Sequence, residues 1–186
     1  MTHEAGMNEI SDEIVAQGTR ESWFDRFQVL GLIALTLVAI VGKFYLPRLI
    51  PSAQWLELPL LLTVYFGLMR GSQLAALLFG AFVGLAEDSL SPANLPIGMY
   101  GITKTLVGYF AASVGVSFDV ERGFIRFVLA LFFYVFHAFF YWIMRRALLA
   151  QMVPFDVQDT LVHGGLNALV AIPLFALLDR MKLSGS

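Results

Sequence analysis

Cysteine is absent from this 186-residue chain. That excludes disulfides, thiol catalysis and zinc or iron–sulfur sites held by thiolates, and carries no information on compartment. Charge is scarce as well: 14% of residues are Asp, Glu, Lys or Arg, against roughly a quarter in soluble domains. The formal net charge of −2 offers no basic surface for nucleic acid. The apolar segments lack strand-like alternation, which argues against an outer-membrane barrel. The N-terminus also lacks the early apolar core of a secretory signal. Residues 1–26 hold six acidic side chains and two arginines, and read as a soluble cytoplasmic tail. No nucleophile motif, phosphate-binding glycine loop or metal-ligand spacing is present. The expectation is a chain that is no enzyme and carries no cofactor or metal.

What is there is apolar. Hydrophobic residues make up 58% of the chain, and the mean hydropathy is +0.74. A helix of about 20 residues crosses about 30 Å of hydrocarbon, and six apolar segments approach that length. They run over Phe27–Leu46, Trp55–Met69, Gln73–Asp88, Ile97–Val116, Phe124–Met144 and Leu161–Leu178. The second and third are short and joined at Arg70–Ser72, so they read as a helical hairpin. The predicted fold is all-α: a polytopic bundle of six transmembrane helices over residues 27–180, with a short C-terminal tail at 181–186. Loop lysines and arginines set orientation. With the N-terminus inside, Arg20, Arg26, Arg70, Arg122, Arg126, Arg180 and Lys182 lie on the cytoplasmic side. Lys43, Arg48, Arg145 and Arg146 lie outside. The bias predicts both termini inside.

Small residues let membrane helices approach closely, and two stripes of them stand out. In the third segment Ala76, Gly80, Gly84 and Asp88 recur at i, i+4 spacing. In the fourth, Gly98, Gly101, Thr105, Gly108, Ala112 and Gly115 alternate spacings of three and four, a heptad seam of small residues. Such seams either hold the protein's own helices together or dock a helix from a partner.

Ionisable groups inside a span cost roughly 2.5–3.5 kcal/mol on insertion scales and usually face protein or a water-filled cavity. Glu87 and Asp88 close the third segment in "GLAEDSLSPANLPIG". Side chains at i and i+1 diverge by about 100° on a helix, poor geometry for a shared active site. The two acids are either a solvated helix end or structural groups, with Asp88 capping the loop or pairing with Lys104. Asp88, in line with the glycines, is the better structural candidate, and Glu87 reads as an interfacial charge. Lys104 either meets one of these acids or snorkels to the outer interface. His137, among aromatics, reads as a histidine hydrogen-bonded inside the bundle.

The segment "VYFGLMRGSQLAALLFGAFVGLAEDSLSPANLPIGMYGITKTLVGY", from Val64 to Tyr109, resembles the MreD family of bacterial rod-shape proteins. The features that carry the resemblance are Gly80, Gly84–Leu85, Asp88, Ser91–Pro92, Gly98 and Gly108–Tyr109. They cover about a quarter of the chain; elsewhere the likeness is one of size and hydropathy. The N-terminal tail is longer than the resemblance leads one to expect. The resemblance implies a multi-pass, non-enzymatic component of the elongation machinery in the bacterial inner membrane. It implies binding to MreC, a single-span protein, and through it influence on the RodA glycosyltransferase and penicillin-binding protein 2. MreB filaments would lie on the cytoplasmic side. The family's fold is similar to that of the six-helix substrate-binding subunits of vitamin importers. The alternative is therefore an importer subunit, whose outer pocket would draw on Glu87, Asp88, Asn94, Tyr100 and Lys104.

Overall fold

The computed structural model of the protein describes residues 30–70, 72–91, 97–120 and 122–183. The leader at 1–26 and Asn94 lie outside the described residues. Among those residues all regular structure is helical. Helix α1 is described from Leu30 to Leu49. A turn of 3-10 helix at Pro51–Trp55 then leads into α2, Leu58–Arg70. Helices α3 (Gln73–Leu90), α4 (Met99–Gly115), α5 (Gly123–Leu149) and α6 (Val157–Leu183) follow.

Four of these, α1, α3, α5 and α6, are long and apolar enough to cross a membrane. With 13 residues, α2 spans only about 20 Å. Its position explains how it can be short. Every residue from Pro59 to Leu68 is buried, so α2 is a core helix, apolar all round. Leu60, Leu61, Val64, Tyr65 and Leu68 pack with Val107 and Ala111 of α4, Phe133 of α5, and Ala168, Ala171 and Phe175 of α6. On its other side Phe66 stacks on Phe79 of α3, with ring centroids 4.3 Å apart.

Helices α5 and α6 extend beyond the apolar segments that signal them. Helix α5 continues through Arg145 and Arg146 to Leu149, where Ala150 ends it in the left-handed conformation (φ 50°). Helix α6 begins at Val157 because Asp156 precedes it. The Asp156 Oδ1 accepts from the amide of Asp159 at 2.9 Å, satisfying one of the free donors of the first turn.

Among α2 to α6 the most extensive helix pairing is α3 against α4, and glycine makes it possible. A Cβ on Gly80 would fall on the carbonyl of Lys104. One on Gly84 would fall on the carbonyl of Tyr100, and one on Gly108 on the carbonyl of Ala76. The partners step by four residues on each helix in opposite senses, so the two stripes face each other in antiparallel register. Gly67 of α2 fits the same crowded zone, its missing Cβ lying 2.6 Å from that of Ala111. The α3 stripe is thus consumed inside the protein, together with Gly108 and Ala112 of α4. Gly98 and Gly101, with half-buried Thr105, reach a shallow outer groove of about 330 Å³ with Ala81, Leu85, Ile102 and Leu106.

Overpacking a tight interface costs about 1–3 kcal/mol or more. Gly84→Val is therefore expected to lower the thermal unfolding midpoint of the detergent-solubilised protein sharply. Gly42→Ala, where a Cβ meets nothing within 4 Å, should not lower it. Equal midpoints for the two variants would contradict backbone-close packing of α3 on α4.

Candidate functional site: a buried ion-pair cluster

The antiparallel α3–α4 pair brings the end of one helix against the start of the other, and this sends the adjacent acids in different directions. Asp88 turns toward the first turn of α4. Its Oδ2 accepts from the amides of Gly98 and Gly101, both at 2.9 Å, and its Oδ1 accepts from the amide of Tyr100 at 3.1 Å. Helix N-termini leave amides unpaired and favour negative charge. Gly98, the residue at the cap position, has φ 107° and no side chain to offer. A carboxylate from the preceding helix does the capping instead. Gly84, four residues before Asp88, permits the approach that lets so short a side chain reach.

Glu87 turns into the bundle. It is 0% exposed, which corrects its reading as an interfacial charge. Rotated about 100° from Asp88, it cannot follow Asp88 to the helix end, and it meets a cation in the interior. Its Oε2 accepts from the Nζ of Lys104, which is itself 0% exposed and so does not snorkel. Lys104 thus pairs with Glu87 and not with Asp88.

Two further ionisable groups complete the cluster, and sequence reasoning missed both. Lys43, counted above as an outer charge, lies within α1. Its ammonium binds Glu57 at 2.7–2.8 Å and stands 3.6 Å from Glu87 Oε2. Glu57 immediately precedes α2 and also stands 3.9 Å from Lys104. Two ammoniums therefore alternate with two carboxylates drawn from α1, the entry to α2, α3 and α4. The set is neutral overall, the condition under which buried charge is tolerated. The signal that could have revealed it is opposite charge at apolar positions: Lys43 late in one apolar run, Glu57 at the start of the next.

Aromatic and amide groups surround the four charges. The Tyr100 ring lies beneath both ammoniums, 4.4 Å from Lys43 Nζ and 5.1 Å from Lys104 Nζ, within cation–π range. Tyr141 of α5 stacks on Tyr100 at 4.8 Å between centroids. His137 of α5 lies near both rings, at 6.2 and 6.3 Å. Asn167 of α6 ties down the backbone that carries Glu57. Its Oδ1 accepts from the Glu57 amide at 2.9 Å, and its Nδ2 donates to the carbonyls of Trp55 (2.7 Å) and His163 (2.9 Å). Five helices and the segment that enters α2 thus contribute to one polar layer. It lies at the end of the bundle where α1, α3 and α5 finish and α2, α4 and α6 begin.

A second, smaller network braces the opposite end. Arg126, counted above as a loop charge, lies in the first turn of α5. It donates from Nη2 to Asp179 Oδ2 at 2.6 Å and from Nε to the carbonyl of Val120 at 2.7 Å. The Tyr65 hydroxyl donates to Asp179 Oδ1 at 2.9 Å. One carboxylate thereby links α2, α5 and α6.

Of the sequence-predicted positions, Ala76, Gly80, Gly84 and Gly108 lie in the α3–α4 contact. Ala112 is buried with Phe66 and Phe79, and Gly115 abuts the backbone of Leu68. Glu87 and Lys104 lie in the ion-pair cluster, Asp88 at the start of α4, and Gly98, Gly101 and Thr105 along the outer groove. Fold and site together define an all-helical membrane protein organised around a neutral buried charge cluster. Comparison of the chain with protein-family models, with curated proteins and with solved structures finds no match.

Removing one partner of a buried ion pair costs about 3–5 kcal/mol, because the other charge is left uncompensated, whereas replacing both by apolar groups is often near neutral. Lys104→Met alone is expected to destabilise strongly, and Glu87→Met/Lys104→Met to recover most of the loss in a denaturation cycle. A double variant as unstable as the sum of the singles would show that the pair is not coupled. For the cap, Asp88→Ala should cost about 1–2 kcal/mol. It should also speed hydrogen exchange at the amides of Gly98, Tyr100 and Gly101 selectively, leaving the Arg126–Asp179 end unchanged.

Proposed function

We propose that the protein is a non-enzymatic, MreD-like component of the bacterial cell-elongation machinery. In this reading all six helices lie across the inner membrane, with both termini cytoplasmic. The protein binds the single-span protein MreC and through it influences RodA and penicillin-binding protein 2. MreB lies on the cytoplasmic side.

One observation carries the choice between adaptor and importer subunit. Of the polar groups that an outer ligand pocket would draw on, Glu87, Asp88, Tyr100 and Lys104 are turned toward other parts of the protein and engaged there. Glu87 holds Lys104, Asp88 holds the amides that begin α4, and Tyr100 underlies the two ammoniums. A site already occupied by its own side chains supports scaffolding better than capture of a polar vitamin. The outward side of the same α3–α4 pair supports the adaptor reading too. Gly98 and Thr105 lie there with exposed Leu85 and Ile102, over the buried Gly101 backbone. Small residues beside exposed aliphatic ones suit close packing by a partner's transmembrane helix. In this proposal MreC docks along that groove, and the ion-pair cluster keeps the supporting helices in register.

Co-expression with MreC followed by affinity purification tests the reading. A stoichiometric complex is expected, weakened by Thr105→Trp, which fills the groove, and by Asp88→Asn, which loosens the start of α4 without preventing membrane insertion. Retention of full complex by both variants would remove the groove from the interface. Native mass spectrometry that finds a stoichiometric vitamin and no protein partner would replace the adaptor reading with the importer one.

A further inference from the structure

The ion-pair cluster leaves two buried polar atoms without a hydrogen-bond partner among the described residues: Glu87 Oε1 and His137 Nε2. Glu87 is 0% and His137 6% exposed. Neither is a marginal case. An unmet carboxylate oxygen in a low-dielectric interior forfeits its full hydration, and native structures rarely tolerate that unless an internal water supplies the donor. The groups around these atoms define what could bind there. Lys43 comes from α1, Glu57 from the entry to α2, Glu87 from α3, Tyr100 and Lys104 from α4, and His137 and Tyr141 from α5. Two ammoniums balance two carboxylates, so an added ion of either sign would upset the charge balance. Neutral molecules able to donate to the carboxylate or to bond the imidazole nitrogen would not. Accessibility is graded in the same direction. The Glu57 and Lys43 side chains are 16% and 12% exposed, and those of Glu87 and Lys104 are 0%. The polar layer is least covered at its Lys43–Glu57 side and fully enclosed at Glu87.

We propose that the cluster is an internal hydration site, in which water enters past Lys43 and Glu57 and is held by Glu87 Oε1 and His137 Nε2. Internal waters usually make two to four hydrogen bonds to otherwise unsatisfied groups, and this layer supplies such groups within a helical membrane bundle. His137 then has a specific role: it closes the hydrogen-bonding of the layer from α5, which contributes no charge to it. The site does not depend on the identity of any partner protein.

Radiolytic labelling tests this on the intact protein in nanodiscs. X-rays generate hydroxyl radicals from resident water in place, whereas peroxide-derived radicals arrive from bulk solvent. Labelling of His137, relative to exposed Tyr45, is expected to rise severalfold on changing from peroxide to X-rays. Phe133, 0% exposed and one turn away on α5, should stay unlabelled by both. His137→Phe, which keeps the four charges, should reduce the X-ray-specific labelling of Tyr100 severalfold. His137 labelled no faster than Phe133 under X-rays would overturn the proposal. Peroxide labelling of His137 as strong as that of exposed Tyr45 would also overturn it, since the residue would then be open to bulk solvent and hold no resident water of its own. The measurement uses the protein alone, so its failure leaves the adaptor reading untouched, and loss of MreC binding leaves the hydration site untouched.

Discussion

Backbone-to-backbone approach of α3 and α4 is the constraint from which the rest of the architecture follows. Helix axes come this close only where no Cβ intervenes, and Gly80, Gly84 and Gly108 provide that at successive turns. Once the helices touch, the end of α3 and the start of α4 share a small volume. Asp88 then reaches three α4 amides, and Glu87 reaches Lys104. A wider spacing would leave the amides unpaired and two charges isolated in an apolar interior. The close glycine contacts are therefore what brings the polar contacts within reach.

The charge cluster extends that local pairing to the whole bundle. Hydrophobic contact is a weak guide to register between membrane helices, because lipid is as apolar as leucine. Oppositely charged groups at fixed heights discriminate more strongly, since sliding α1 or α3 by one turn would leave an ammonium or a carboxylate unpaired. Lys43 fixes the height of α1, and Asn167 that of α6 relative to the backbone preceding α2. The Arg126–Asp179–Tyr65 network does the same at the other end. Between these two polar layers the core around α2 is apolar. That core fills space without specifying a unique vertical alignment.

Much of this was legible in the chain and some was not, and particular residues show why. The boundaries of α3 and α4 follow closely from apolar runs bounded by Ser72, the proline-containing loop and the residues after Gly115. The longer reach of α5 and α6 did not follow, because hydropathy falls at Arg145–Arg146 and near Asp156 while helical hydrogen bonding continues. The acids of "AED" could be assigned to separate directions from helical geometry alone. Their destinations could not. Glu87 read as a surface charge because its partners, Lys43 and Lys104, lie 44 residues before it and 17 after it in the sequence, a separation that no local pattern encodes.

The sequence by itself determined that this is an all-helical chain rich in membrane-spanning length, that two of its helices carry small-residue faces, and that Asp88 lies in line with one of them. Those properties depend on composition and on periodicity within a single helix. Only the tertiary structure decided that the two faces meet each other, which acid caps and which one pairs, and that Lys43, Glu57, His137 and Asn167 belong to the same site. Each of those outcomes depends on distances between segments far apart in the chain. Such distances are set by how closely helices pack and by the requirement that buried charge be balanced.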